Sequence, residues 1–304
     1  MPNPQLIFGG LNIGGGGFNT AKDVSALLDE MSSLRLPRID TAAVYPNACP
    51  GLSEQLLGDC RASDRQLVVD TKILPTGKAP LRADAIAASI DDSLRRLRCD
   101  ISILYCHAPD PETPIRETAA ELDRQYKLKK FRSLGLSNYS DTQTVEYINV
   151  CEEEGFIMPT TIQLQYNLLL RGKSREIQAL RQSRDLKFVA YSPLAGGFLT
   201  GMFTEGAKLE GTRFEEGNQT GTWYKRIYDR APMHETVIAL RKICDRHGLR
   251  MTEVALRWLY HHSVLEEKDG FIIGASNIAQ LRENLSDIAK GPLPRDVMSQ
   301  IDEL

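Results

Sequence analysis

Several signatures that would settle a function at once are missing from this chain of 304 residues. No stretch approaches the roughly 18 consecutive apolar residues of a membrane helix, and the start, MPNPQLIFGG, has neither a basic segment nor an apolar export core. The cytosol is the expected compartment, and no membrane partner is expected. Lys and Arg total 37 against 40 Asp and Glu, a net charge of −3, and the cations are scattered, so no nucleic-acid footprint is expected either. The six cysteines, at 49, 60, 99, 106, 151 and 244, form no C-x-x-C pair and no Cys/His cluster at zinc spacing. They read as reduced, mostly buried thiols with no metal, Cys106 included. No G-x-S-x-G elbow occurs, which removes one common route to acyl transfer.

Other strings look informative and are not. NIGGGGFN (12 to 19) fails the G-x-G-x-x-G pattern and reads as a flexible loop bordering a ligand site. The terminal IDEL and the sequons at Asn138, Asn218 and Asn284 have no entry signal to act with and read as chance. His261 and His262 have no third ligand and read as a helix end, and Glu152 to Glu154 as a solvated helix face. Trp258 sits among apolar helix residues and reads as core, whereas Trp223 falls in a loop and is a candidate pocket wall.

What is present is a rhythm. With 42% apolar and 25% charged residues the chain has the composition of an ordinary globular protein. Short β-branched or apolar runs recur near LIFGG (6 to 10), RID (38 to 40), QLVVDTKI (66 to 73), ISILYC (101 to 106), FRSLGL (131 to 136), TIQLQY (161 to 166), KFVAYS (187 to 192) and FIIGA (271 to 275). Amphipathic helical segments separate them, as in Ala85, Ile86, Ile90, Leu94 and Leu97, or Val237, Leu240, Ile243 and Cys244. Eight βα units without a linker predict one α/β domain over residues 1 to 304, a single (β/α)8 TIM barrel. A Gly-, Thr- and aromatic-rich stretch from about 195 to 230 breaks the rhythm and is expected to be a long loop over the site.

Active sites of such barrels gather where the strands end. Every strand end from the second to the eighth carries a hydrogen-bonding group: Asp40 and Tyr45, Lys72, His107, Ser137 and Asn138, Gln163, Tyr191 and Ser192, then Gly274 to Ser276. One such residue would be an ordinary cap or turn residue; the set carries the signal. Tyrosine titrates near pH ~10, so an adjacent lysine ammonium is expected to lower that value, with aspartate holding the lysine. Tyr45 then becomes a proton donor, and His107 a donor to a carbonyl oxygen. With no Ser/His/Asp elbow and no metal set, a hydride from a bound nicotinamide is the nucleophile this group implies.

The motifs IDTAAVY, DTKI, ILYCHAPD, LGLSNYS, QLQYN, YSPLAGGFLTG and IIGASNIAQLRENL, in this order, resemble the aldo-keto reductase superfamily. HAPD, SPLAGGFLTG and LRWLYHHS are most similar to its aflatoxin-aldehyde/succinic-semialdehyde reductase subfamily. The resemblance implies Tyr45 as general acid, Lys72 and Asp40 as its tuning pair, and His107 as the residue that orients the carbonyl. It places Ser137, Asn138 and Gln163 on the nicotinamide carboxamide and Tyr191 against the ring. Ser192, Pro193, Leu194, Gly196 and Gly201 fall in the run that would wrap the pyrophosphate, and Gly274, Ser276, Gln280 and Asn284 at the adenosine end. The implied cofactor is NADPH, and the implied partner a small carbonyl compound. Arg213, Tyr224 and Arg226 would contact an acidic or oxygen-rich substrate.

Departures from the family pattern bear on these expectations. Asn277 stands where many members have Arg or Lys, which leaves Arg282 to supply charge for a 2′-phosphate. The chain stops at 304, soon after its eighth unit, without most of the tail that closes the pocket in relatives, and a more open pocket is expected. Relatives are monomers or homodimers. The physiological substrate stays open, and a step of a specialised biosynthetic pathway is one alternative. A Schiff-base lyase acting through Lys72 is a second, and a non-catalytic NADP(H)-sensing subunit a third.

Overall fold

Eight short strands form along the chain: β1 (Gln5–Gly9), β2 (Arg38–Asp40), β3 (Val68–Lys72), β4 (Ile101–Cys106), β5 (Phe131–Ser137), β6 (Pro159–Gln165), β7 (Lys187–Tyr191) and β8 (Gly270–Ile273). This is a computed structural model, and it describes residues 3–304, so the first two residues of the MPNPQLIFGG start lie outside the described residues. All eight expected runs become strands, their ends moving by at most two residues. Each pairs in parallel with the next, and β1 returns to β8 with Gln5 to Phe8 beside Gly270 to Ile273. The result is a closed (β/α)8 TIM barrel.

The helices form where local signals and burial agree. Ala21–Ser33 opens with a reciprocal capping box between Thr20 and Asp23, and Asp141–Glu154 with one between Ser140 and Gln143. Ala83–Leu97 buries Ile86, Ile90 and Leu97, each contributing roughly 1.5–3 kcal/mol of transfer free energy. Val237, Leu240, Ile243 and Cys244 are the buried stripe of Ala231–His247. Trp258, 4% exposed, packs against Tyr166 in the layer between barrel and helices. No helix is long and apolar enough to cross a membrane, among the described residues.

Alternation along the strands decides what fills the barrel. Ile7, Val189 and Ile272 form an apolar cluster on the β1, β7 and β8 side, with Tyr191 packed on it. On the β2 and β3 side the inward positions are charged: Arg38 and Asp40 alternate on one strand, Asp70 and Lys72 on the next. Arg38 grips Asp70 with two bonds of 2.6 and 2.8 Å, while Lys72 reaches Asp40 one layer nearer the strand ends.

The stretch from 195 to 230 is not the continuous loop expected. It begins with a 3-10 turn, Ala195–Thr200, and ends in a helix, Gln219–Tyr228. Asn218 caps that helix by accepting from Gly221 N at 2.9 Å, and Tyr224 and Tyr228, one turn apart, bury the same face. Its Gly and Thr content hid a two-tyrosine stripe.

Three minor expectations have clear outcomes. His261 ends the Met251–His261 helix and His262 caps it. Glu152 and Glu154 face outward but pair with Arg184 and Arg116. All six cysteines are free, with Cys106, Cys151 and Cys244 buried, and burial pushes the Cys106 thiol up to about 12, which makes it a packing residue.

Candidate active site

The strand ends deliver their polar side chains to one place. Asp40 ends β2 and Lys72 ends β3, both almost fully buried. Lys72 Nζ donates to Asp40 Oδ2 at 2.5 Å and to the Thr41 carbonyl at 2.8 Å. Asp40 Oδ1 accepts from Gln163 Nε2 at 2.8 Å, so the carboxylate is held from two strands. The Lys72 ammonium lies 5.2 Å from the centre of the Tyr45 ring. His107, directly after β4, meets the same ring edge-on at 5.7 Å. The four catalytic candidates therefore form one contiguous cluster.

The electrostatics of this cluster differ from expectation at one point. Burial, followed by the Asp40 carboxylate, pushes the Tyr45 phenol well above its ordinary value, whereas the sequence predicted a lowered one. The reason is physical: the lysine charge is already matched by Asp40, while phenolate in this setting would lose its hydration. Tyr45 therefore holds its proton at neutral pH. Burial, aided by Lys72, pushes the His107 imidazole down to about 3, so it is neutral. Its Nδ1 is buried without a partner. The tautomer protonated on Nε2 leaves only a lone pair at that orphaned atom, the cheaper of the two alternatives.

Along the β5 to β7 rim, Asn138 takes a positive φ of 64° and ties three strand ends together. Its Nδ2 donates to the His107 carbonyl at 2.8 Å, its Oδ1 accepts from Tyr191 OH at 2.6 Å, and Ser137 Oγ lies 3.2 Å away. Gln163 is also in the cluster, donating one N–H of its amide to Asp40. Beyond β7, Ser192, Ala195, Gly196, Gly197 and Gly201 all take positive φ, which folds this run into a tight turn; Pro193 and Leu194 lie within it. A Cβ on Gly196 would come within 2.6 Å of the Tyr224 ring, so glycine is required there by contact as well as by φ.

At the β8 end, Gly274 and Ser276 are exposed, and Asn284 Nδ2 donates to the Gly274 carbonyl at 3.2 Å. The helix that follows starts at Ile278 with Asn277 as its cap, accepting from Gln280 N at 2.8 Å. That capping role explains asparagine at a position where a cation was expected. Gln280 in turn accepts from Ser276 N at 2.8 Å. Arg282, the residue expected to supply charge here, is held by Glu30 with two bonds of 2.8 and 2.7 Å. The glycine-rich loop packs against this end, since a Cβ on Gly17 would fall 1.6 Å from the Ser276 carbonyl.

The three expected substrate contacts separate. Arg213 is half-buried, donates to Asn12 Oδ1 at 3.2 Å and lies 5.3 Å from the Tyr224 ring centre. Tyr224 is 5% exposed, with its ring against Gly196 in the turn after β7. Arg226, two positions on along the helix from the buried Tyr224, is exposed and is not brought to the cluster. Trp223 is likewise 42% exposed, with its ring edge on Tyr224. Sequence reasoning passed over Asn12, Gln165, Asn167 and Tyr228. Asn12 bridges Arg213 to the Ala275 carbonyl at 3.0 Å, and only its place beside the glycine run marked it.

A cavity of about 190 Å³ at the opposite end of the barrel, among Arg38, Ser102, Thr160, Lys187 and Lys268, shares no residue with this cluster. Arg38 and Lys268 there are already paired, with Asp70 and Asp185.

A (β/α)8 barrel with a buried Lys-Asp pair under a tyrosine and a neutral histidine at its strand ends has the layout of a carbonyl oxidoreductase. The sequence profile of the Aldo/keto reductase family matches residues 5–304, and the chain belongs to that family. It is 33% identical over 297 residues to aflatoxin B1 aldehyde reductase member 2 of Mus musculus, covering 93% of this chain and 79% of that protein. It is 34% identical over 280 residues to aldo-keto reductase family 7 member A3 of Homo sapiens, covering 87% and 83%. Identity to aldo-keto reductase pigE of Monascus ruber is 31% over 302 residues, covering 93% and 87%. The chain is an oxidoreductase acting on carbonyl or alcohol groups, similar to the aflatoxin aldehyde reductases.

Proposed function

We propose that this enzyme reduces an aldehyde or ketone to an alcohol with NADPH, with Tyr45 as proton donor. The observation that carries the reading is the convergence of Lys72 and His107 on the Tyr45 ring, at 5.2 and 5.7 Å from its centre. The residues present fit a nicotinamide dinucleotide: Ser137, Asn138 and Tyr191 at the β5 and β7 ends would hold the carboxamide and ring. The positive-φ turn from Ser192 to Gly201 offers a close approach for phosphates, and the β8 end offers the adenosine site. Bound there, the cofactor would supply hydride to the carbonyl carbon.

The chain's own residues then account for the rest. His107, neutral, donates from Nε2 to the carbonyl oxygen and fixes its direction. As charge builds on that oxygen it becomes far more basic than a phenolate, so Tyr45 can release its proton to it despite its raised value. The Lys72 ammonium, held by Asp40, stabilises the phenolate left behind. Lys72 is poorly suited to Schiff-base chemistry, because its side chain is 1% exposed and its nitrogen is already bonded to Asp40 and Thr41. Arg213, half-buried and near enough to Tyr45 to act on it electrostatically, supports a substrate with an anionic group, and relatives named as aldehyde reductases support an aldehyde as its reacting group.

The test is the loss of reduced-nicotinamide absorbance with succinic semialdehyde and a carboxylated benzaldehyde, against an uncharged benzaldehyde. Wild type should turn over, with the carboxylated aldehydes favoured. Tyr45→Phe should bind NADPH normally and lose at least about 100-fold in rate; an unchanged rate would remove Tyr45 as the donor.

A further inference from the structure

The Gln219–Tyr228 helix is fastened to the rim of the barrel by two phenols. Tyr228 OH, fully buried, accepts from Gln165 Nε2 at 3.0 Å and Asn167 Nδ2 at 2.8 Å, both at the end of β6. Asn167 Nδ2 also donates to the Ser192 carbonyl at 2.9 Å. One turn earlier, Tyr224 OH lies 2.5 Å from Ser192 Oγ, with its ring covering Gly196 and parallel to the Tyr228 ring. Ser192 is thus gripped at its carbonyl by Asn167 and at its hydroxyl by Tyr224. Its positive φ of 57° is one that a serine rarely adopts without such support.

We propose that Tyr224 is a positioning residue for Ser192, and through it for the cofactor's phosphates, rather than a substrate contact. A serine hydroxyl has one hydrogen to donate and two lone pairs to accept with. A phenol O–H is the stronger donor of the pair, so Tyr224 donates to Ser192 Oγ. That leaves the serine hydrogen free for an anionic oxygen, and the bond it accepts strengthens the bond it gives. The phenol ring closes the turn from beneath, so Ser192 and the glycines after it are held in the bound shape before any ligand arrives. This inference rests on the nicotinamide-dinucleotide reading above.

Tyr224→Phe removes one hydroxyl and keeps the ring on Gly196 and Arg213. We expect it to weaken NADPH binding about three- to tenfold, the range of a single net hydrogen bond, measured by equilibrium fluorescence titration without substrate. In a Ser192→Ala background the same change should have almost no effect, because its target is gone; a purely structural role would weaken both backgrounds alike. An unchanged dissociation constant in Tyr224→Phe would overturn the proposal. So would a raised KM for the aldehyde at constant NADPH affinity, which would return Tyr224 to the substrate. If the wild type itself fails to bind either NADPH or NADH, the reading of the site fails first, an outcome distinct from equal, tight binding by wild type and variant.

Discussion

Replacing Asp40 by Asn leaves the Lys72 ammonium buried beside a neutral amide. The two side chains are 5% and 1% exposed, so solvent screening takes little from their interaction. Two unit charges ~4 Å apart attract by about 4 kcal/mol at an effective dielectric of about 20, against ~0.2–1 kcal/mol for an exposed pair. Breaking a buried pair by removing one partner costs about 3–5 kcal/mol, whereas replacing both by neutral groups is often close to neutral. Asp40→Asn alone should therefore lose about 3–5 kcal/mol of unfolding free energy. Lys72→Met alone should lose somewhat less, because Gln163 still donates to the orphaned carboxylate. The double variant Asp40→Asn/Lys72→Met should lose clearly less than the sum, with a coupling of at least about 2 kcal/mol. The assay is equilibrium urea unfolding followed by far-ultraviolet circular dichroism at neutral pH, on wild type and all three variants. Additive losses, with a coupling below about 1 kcal/mol, would refute the claim that this pair is a tightly coupled buried unit.

Two further outcomes follow from the site. His107 is depressed to about 3 in the folded chain against an ordinary value of 6.5, so the unfolded chain takes up its proton first as acid is added. The stability it lends is fully present above about 6.5 and drains away as pH falls from there toward about 3, at roughly 1.4 kcal/mol per pH unit; the stability difference between wild type and His107→Gln should show this slope, and a flat difference would contradict it. Arg282 is already paired with Glu30, so Arg282→Ala should change the preference for NADPH over NADH by less than about threefold, as for the small contribution of an exposed pair. A tenfold or larger loss of NADPH preference in kcat/KM would show that the bridge opens to a 2′-phosphate.

What the sequence determined by itself was local or periodic. Strand runs such as RID and ISILYC were legible because β-branched and apolar residues mark a strand whatever it pairs with, and the eightfold alternation with helices leaves one closed arrangement. Asp40, Lys72, His107 and Ser137 were legible because a strand's last residues must face the same rim. Only the tertiary structure decided the rest. Arg282 looked free until Glu30, 252 positions away, was folded against it. Gln163 donates to Asp40 across the barrel, a bond between residues 123 positions apart that no local pattern announces. Tyr224 and Arg226 looked equivalent in a loop, and the helix sent one beneath the turn that follows β7 and the other to solvent. The proton on Tyr45 depends on how much water its ring loses and how completely Asp40 matches Lys72. Each of these is set by long-range neighbours and burial, which no spacing along the chain encodes.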